Sequence, residues 1–492
     1  MRLRDLIRGL GVQGAVDPEL EITGLEHDSR KTEPGDLFVG WQGERYDGRD
    51  FLAAAATGGA RAALVSAPAP ADSPIPCLTA SDPHALLAPL AARFFAHPDS
   101  ELTTVGVTGT NGKSTVAALA ADILNETGRP AGIIGTLGYR FADLEVEGGR
   151  TTPEASELFE LLRSMRTAGA EAVSMEVSSH SLALGRVAEL SFDVAVFTNL
   201  TRDHLDFHHD LENYFLSKRR LFKQLKPHAR GVIGIDDPYG RRLRQEWPAS
   251  ITFSADSSAL ADIRPLEVTL DLEGIRGTLI TPRGPLVFDC RLLGAYNLRN
   301  LLAAVGVGEA LHLPHEAIAA ALKRRQPLAG RMQPIAADQD FPVVIDYAHT
   351  DAALAAALGS LRQLSNRKIA LVFGCGGDRD RGKRPLMGRV AGELADLPIL
   401  TSDNPRSEDP AKIISEVEEG LKRTGNRAYR VVPDRREAIR RAIGVAGPEW
   451  AVMIAGKGHE TVQLVGNEEI PFSDEEEAVR ALEERFGSRT AG

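Results

Sequence analysis

A short β-branched run, Thr104–Val107, leads into Thr108-Gly-Thr-Asn-Gly-Lys-Ser-Thr115 and then into a helix-length apolar stretch, Val116–Glu126. No other segment limits the possible folds as strongly. Glycines in a strand-to-helix turn let backbone N–H groups approach an anion, and the helix N-terminus adds positive potential there. Lys113 has the reach for β- and γ-phosphates, and Ser114 can place a hydroxyl on Mg²⁺. Gly109, Thr110, Asn111, Gly112, Lys113, Ser114 and Thr115 are therefore the expected nucleotide loop. The strict GxxxxGK[ST] spacing is not met, because Val107 stands where its first glycine would. A glycine-rich turn with an incidental lysine is the bland alternative, and it leaves the flanking strand and helix unexplained.

The chain around this loop has 492 residues. Domains usually hold about 100–200 residues, so about two to four are expected. Residues 1–98 hold short apolar runs such as Leu37–Val39 and Ala62–Val65, and a helix-like stretch from Pro83 to Ala96, which suits a small α/β domain. From Leu102 onward, apolar runs (Thr104–Val107, Gly132–Ile134, Ala172–Met175, Asp193–Thr198, Gly231–Ile235) alternate with amphipathic stretches, the pattern of a parallel sheet with crossover helices. After Ile251 the runs Leu266–Leu272, Arg276–Thr281 and Leu286–Cys290 read as an antiparallel meander, followed by a helix from Asn297. Beyond Gly330 the strand–helix alternation returns with Val343–Ile345, Ile369–Phe373, Ile399–Ser402, Tyr429–Val432 and Ala451–Ile454. Ligands of open α/β sheets sit at the carboxyl ends of strands, so the polar loops there are the places to look for chemistry.

Composition excludes several classes. A net charge of −11 argues against a general nucleic-acid or anionic-membrane binder. Cys77, Cys290 and Cys375 are odd in number and far apart, so neither a disulfide framework nor a zinc site is indicated. Charges interrupt the N-terminal Met-Arg-Leu-Arg-Asp-Leu-Ile-Arg, and no signal peptide or membrane span is expected. A cytoplasmic monomer is the expectation.

Two further strand ends bear on the nucleotide loop. Glu176 closes the run Ala172–Met175 within Met-Glu-Val-Ser-Ser-His, and Asn199 opens Asn-Leu-Thr-Arg-Asp-His-Leu-Asp. Parallel neighbours would bring Glu176 and His204 to the edge that carries Ser114. Mg²⁺ favours oxygen donors and retained water, so a carboxylate with a hydroxyl suits it, and one imidazole is a less usual addition. A solvated polar loop is the other reading of Asp203, His204, Asp206, His208 and His209.

Taken together with Asp346-Tyr-Ala-His-Thr350, these segments resemble the Mur ligases of peptidoglycan synthesis, in order and over almost the whole chain. The resemblance implies an α/β protein of three domains: a small N-terminal domain binding a UDP-linked substrate (1–98), a central P-loop ATPase with a parallel sheet and a small antiparallel sheet (99–330), and a C-terminal Rossmann-like domain (331–492). It implies that ATP, with Mg²⁺, phosphorylates a carboxylate, and that an amine displaces the phosphate to form an amide. Lys113, Glu176, His204 and Lys218 are the implied catalytic residues. Lys218, in Tyr214-Phe-Leu-Ser-Lys218, is implied to be carbamylated and to join Ser114, Glu176 and His204 around the metal. On its own it would read as a surface helix lysine. Asn297, Asn300, Arg331 and Asp346 are implied ATP contacts, with His349 nearby. Ser29, Glu44, Arg45, Tyr46, Thr151, Thr152, Ser178 and Arg186 fall where UDP-N-acetylmuramoyl-L-alanyl-D-glutamate is bound. Two departures stand out: Leu184 replaces a frequent Gln, and Thr350-Asp351-Ala352 replaces the usual Thr-Pro-Asp.

The third block also suggests which amine is added. Its loops include Gly376-Gly-Asp-Arg-Asp380, Asp403-Asn-Pro-Arg406 and Gly456-Lys-Gly-His-Glu460. A guanidinium pairs a carboxylate in bidentate fashion, so Arg379 and Arg406 suit the carboxylates of meso-diaminopimelate. Asn404 can donate to a carboxylate, and Asp403 and Glu460 can accept from an ammonium, with Pro405 and Gly456 shaping the turns. Asp-Asn-Pro-Arg is also the mark of the diaminopimelate-adding branch of the family. Alternatives remain a lysine-adding relative, a folylpolyglutamate synthetase, a generic P-loop ATPase or kinase, and a nucleotide-binding regulator without catalysis.

Overall fold

Short apolar runs become strands and the amphipathic stretches between them become helices, giving an α/β fold with one antiparallel insertion. The computed structural model describes residues 1–43, 46–146 and 149–487. The chain divides into two compact units.

The first unit comprises Met1–Thr108, Gly128–Val196 and Ser217–Gly231. It begins with a parallel sheet of Gly24–Glu26, Asp36–Gly40, Ala62–Ser66 and Cys77–Ala80, paired in chain order. Phe38, Ala63 and Val65 pack with Leu52 and Ala55 of the helix Leu52–Gly58. The helix Pro83–Phe94 starts where its sequence allows: the Asp82 carboxylate accepts from the Ala85 N–H at 3.0 Å, and proline occupies the first turn.

Seven strands of a second, eight-stranded sheet lie wholly or largely in this unit, in the lateral order Leu225–Gly234, Phe192–Phe197, Thr103–Thr108, Ala172–Glu176, Ala131–Gly135, Gly138–Phe141 and Leu144–Val146. Thr103–Thr108 and Ala131–Gly135 both pair in parallel with Ala172–Glu176, while the last two strands turn back antiparallel. The strand expected at Gly231–Ile235 begins earlier, at Leu225. The reason is Lys226, whose ammonium donates to the Asp193 carboxylate at 2.8 Å and to the carbonyls of Asp99 and Leu102, holding the early residues in line.

The second unit comprises Gly109–Thr127, Phe197–Leu216 and Val232–Gly492. Its first helix, Lys113–Glu126, starts three residues before the expected Val116. Gly112, at φ +89°, turns the chain into the helix at once, a conformation that glycine adopts without strain. Arg264–Asp271, Gly274–Thr281 and Gly284–Cys290 form the expected antiparallel meander.

The last sheet runs Gln333–Ile335, Val343–Asp346, Trp450–Ala455, Lys368–Phe373, Leu397–Leu400, Arg430–Val431, and all pairs but the first are parallel. Strand side chains alternate between its two faces. Leu371, Phe373 and Met453 pack with Leu354, Leu358, Met387, Val417 and Leu421 of three helices. Val372, Val452 and Ile454 pack with Ile439 and Leu482 of the helices on the other face. Each of these fully buried aliphatic side chains contributes about 1.5–3 kcal/mol. Buried on both faces, the sheet brings Tyr347–Thr350, Gly374–Asp380, Thr401–Arg406 and Gly456–Glu460 out at one edge. The strand Gln333–Ile335 and the hairpin Val462–Val465/Glu468–Pro471 are additions that sequence pattern did not indicate.

Candidate active site

The nucleotide loop is braced by the strand end beside it. Thr110 N–H donates to the Asn199 carbonyl at 2.9 Å, and Asn111 N–H to Asn199 Oδ1 at 3.0 Å. Thr198 Oγ1 and Asn199 Nδ2 donate to the Asn111 carbonyl at 2.6 and 3.1 Å. Asn199 is thus a scaffold residue for the loop. A Cβ at Gly112 would collide with Asn300 Oδ1, so the helix Ala295–Ala310 lies directly under the turn. Asn297 and Asn300 are buried and chained: Asn300 Nδ2 donates to Asn297 Oδ1 at 2.9 Å, and Asn297 Nδ2 to the Leu293 carbonyl at 2.8 Å. Lys113 Nζ folds over the loop and donates to the carbonyls of Gly109 and Thr110 at 3.0 and 2.9 Å. Thr115 is buried in the first turn of its helix.

Arg331 donates to Ser114 Oγ at 3.3 Å and lies over the Tyr347 ring, 5.0 Å from its centroid. Asp346 is buried and accepts from Tyr296 Oη at 2.6 Å, from Met332 N–H at 2.8 Å and from Ala348 N–H at 2.9 Å. Burial pushes the Asp346 carboxyl up despite these donors. His204 is partly exposed at φ +52°, and its ring lies 3.4 Å from the Asp203 carboxylate. Burial raises the Asp203 carboxyl, but the charges of His204, His349, Lys383 and Lys113 outweigh it and hold the group below its ordinary value. Asp203 is a group that sequence reading left among loop residues; its link to Lys113 comes only from the fold. Thr350 caps the helix Asp351–Ser365 through Oγ1, which accepts from Ala353 N–H at 3.2 Å, so the departure at Asp351 leaves the helix start intact.

In the first unit, the end of Ala172–Glu176 gathers Thr151, Thr152, Ser178 and Arg186, four of the eight residues expected to bind the UDP-linked substrate. Glu176 is buried and accepts from Thr136 N–H at 2.8 Å and Thr136 Oγ1 at 3.3 Å. Thr151 and Thr136 hydroxyls meet at 3.0 Å. Thr152 Oγ1 donates to the Glu176 carbonyl at 2.9 Å and accepts from Ser178 N–H at 3.1 Å. Arg186 pairs with Glu154 at 2.8 Å and donates to the Thr152 carbonyl at 3.2 Å. Burial raises the Glu154 carboxyl, but His84, Arg186 and Arg150 together bring it down to about 2. Glu154 went unnoticed in the sequence because its partners are distant along the chain. Leu184 follows the short helix Ser179–Ala183. Ser29 sits in a turn, Tyr46 is exposed with its ring edge-on to Phe51, and Glu44 and Arg45 lie outside the described residues. Lys218 lies in the helix Leu211–Arg219 and is 1% exposed, which removes the surface-lysine reading.

Ser114 in the second unit and Glu176 in the first each carry oxygen of the kind a hard cation takes. Among the described residues no three His, Cys, Asp or Glu side chains cluster as a ready-made metal site.

The C-terminal sheet edge carries the second cluster. Arg406 has φ +51°, an uncommon backbone for a side chain of this size. It is held there by the hairpin: Arg406 N–H donates to the Leu464 carbonyl at 3.0 Å, and Gly466 N–H to the Arg406 carbonyl at 2.7 Å. Its guanidinium donates to the Gly377 carbonyl at 2.9 Å. Burial and then the neighbouring Arg379 charge push Arg406 below its ordinary value. Asn404 donates to Glu460 at 2.7 Å, and Asp403 accepts from Asn404 N–H at 2.6 Å. A Cβ at Gly456 (φ +116°) would meet Asp403 Oδ2 at 2.5 Å. Pro405 is buried in the turn. Arg384 is fully buried and bonds Glu408 and Glu416 at 2.8 and 2.7 Å, tying the Arg379 loop to the Arg406 turn.

Comparison with known proteins agrees with this layout. Family profiles described as the Mur ligase family catalytic domain, the Mur ligase middle domain, and the Mur ligase glutamate ligase domain match residues 21–94, 107–308 and 330–458. A UDP-N-acetylmuramoyl-L-alanyl-D-glutamate–2,6-diaminopimelate ligase of Gloeobacter violaceus is 44% identical over 99% of each chain. The protein of the same name from Geobacter metallireducens is 42% identical over 98% of this chain and 99% of its own. A solved structure titled as a ligase of that name superposes with a TM-score of 0.69 at 31% identity, covering 99% of this chain and 100% of the other. Likeness this strong over nearly the whole chain is common descent: the chain belongs to the Mur ligase family.

Proposed function

We infer that the chain is an ATP-dependent ligase that adds meso-2,6-diaminopimelate to UDP-N-acetylmuramoyl-L-alanyl-D-glutamate in peptidoglycan synthesis. The single observation that carries the choice of amine is the Arg379–Arg406 pair beside Asn404 and Glu460. A substrate with a second carboxylate satisfies it, whereas lysine leaves a guanidinium facing no anion. The names of the full-length relatives support the same reading.

A carboxylate is a poor acyl donor because oxide is a poor leaving group. Transfer of the ATP γ-phosphoryl to the D-glutamyl γ-carboxylate gives an acyl phosphate. The unprotonated amine then adds to the carbonyl carbon, and the tetrahedral intermediate expels phosphate. On this reading Gly109 to Thr115 hold the nucleotide phosphates, Lys113 offsets the charge that develops on them, and Arg331 and Asp346 complete the nucleotide site with Asn297 and Asn300. Thr151, Thr152, Ser178 and Arg186 bind the muramoyl-dipeptide, and Ser29 and Tyr46 the UDP part. Ser114, Glu176 and His204 would hold Mg²⁺, which would supply charge neutralisation for the phosphoryl transfer. Lys218 as a carbamate would contribute an oxygen donor where an ammonium would repel the ion. An intact mass of active protein lacking one carbamate adduct removes that role. Domain limits of 1–98, 99–330 and 331–492 are supported by one family profile falling within each, apart from a one-residue overlap at 330. No helix among the described residues is long and apolar enough to cross a membrane.

The test is side-by-side ligation with meso-diaminopimelate and L-lysine on the UDP-linked dipeptide. Diaminopimelate is expected to be preferred by about a hundredfold, the weight of a charge-assisted hydrogen bond that lysine cannot make. Equal use of lysine overturns the assignment.

A further inference from the structure

Lys457 lies inside Gly456-Lys-Gly-His-Glu460, yet its role differs from that of its neighbours. Its side chain is fully buried, so it is out of reach of any ligand. Its ammonium donates to Asn404 Oδ1 at 2.9 Å, to Glu460 Oε2 at 2.9 Å and to the Val462 carbonyl at 2.6 Å. Three N–H donors meet three acceptors, and the group is saturated. Asn404 Oδ1 also accepts from Leu464 N–H at 3.0 Å. Two donors on that oxygen fix the amide orientation and turn Nδ2 toward Glu460, with one N–H to spare for a ligand. Glu460 has both contacts on Oε2, which leaves Oε1 open to an ammonium.

The charge count is the informative part. Around this space stand Arg331, Arg379, Arg406 and Lys457 against Asp378, Asp403 and Glu460. Arg435, close behind, is cancelled by its buried partner Asp474 at 2.7 Å. Burial, Arg331 and Lys457 bring His459 down to about 4, so it is neutral at pH 7. The subsite therefore holds one positive charge in excess. An amine must be unprotonated to attack. In that form diaminopimelate carries two carboxylates and one ammonium, while lysine carries one of each.

We propose that Lys457 is a specificity-determining residue: its buried ammonium offsets Glu460 and leaves the amino-acid subsite one positive charge in excess, matched to an amine substrate with one excess carboxylate. This rests on the diaminopimelate reading above. It acts through Glu460 and Asn404 and is a positioning residue, not a catalytic one.

The experiment measures kcat/KM for meso-diaminopimelate and for L-lysine with wild-type protein, K457M and K457M/E460Q. The ratio of the two is expected to fall about 10–100-fold in K457M, the weight of a charge-assisted hydrogen bond. KM for ATP and for the UDP-linked substrate should stay within about threefold, because the Lys457 ammonium bonds only Asn404, Glu460 and the Val462 carbonyl. The double variant removes a charge of each sign, restores the excess, and should recover part of the ratio. If K457M does not fold, K457Q replaces it and is read the same way. An unchanged ratio in the folded variant, or no recovery in the double variant, overturns the proposal. Wild-type protein that does not favour diaminopimelate would instead sink the underlying assignment, so the two failures are distinguishable.

Discussion

Replacing Lys113 by methionine is expected to slow phosphate release by about 10²–10³-fold, the loss that follows removal of one preorganised group aimed at developing charge. The side chain already bends over the loop it would serve, donating to the carbonyls of Gly109 and Thr110. It must leave those carbonyls only for a stronger acceptor, and a phosphate oxygen is one. Methionine keeps the apolar stem and the loop braces at Asn199 and Thr198, so the melting temperature should be close to wild type. A single-turnover assay of ADP formation with both co-substrates present reads the effect. A loss below about fivefold would take Lys113 out of the chemistry.

The second large effect belongs to Arg406. The Arg406→Ala variant should raise KM for diaminopimelate about 10–100-fold and leave KM for ATP and the UDP-linked substrate near normal. The backbone argues for the role as strongly as the side chain does. A non-glycine residue at φ +51° is held in a costly conformation by the hairpin, and such outliers gather where a side chain must be aimed. Burial together with Arg379 lowers the Arg406 pKa, so the pair is destabilised until an anion arrives. Initial-rate kinetics with each substrate varied in turn decide the matter. Unchanged diaminopimelate kinetics in the folded variant would refute it.

How much of this was legible in the chain follows from where the partners lie. The nucleotide loop is one contiguous segment, so its strand, glycines, lysine and helix could be read in order. The antiparallel meander and the parallel strands announced themselves through period and spacing. Local signals failed where burial is decided from afar. Lys218 looks like any helix lysine until its helix is packed, and it is 1% exposed. Glu154 gains its meaning from His84, 70 positions away. Lys457 is 53 positions from the Asn404 it orients, and nothing beside it in the sequence separates it from a solvated loop cation. The hairpin that holds Arg406 was missed because its second strand, Glu468–Pro471, is exposed at every position and lacks the apolar alternation that marks a half-buried strand.

Everything above depends on an acyl phosphate formed from the substrate carboxylate. The most direct measurement labels both oxygens of the D-glutamyl γ-carboxylate with ¹⁸O and analyses the released phosphate by mass. Attack of the carboxylate on the γ-phosphoryl followed by C–O cleavage carries one labelled oxygen into each phosphate, and that is the predicted result. Unlabelled phosphate from a complete reaction would show that ATP is split by water, and would contradict the account.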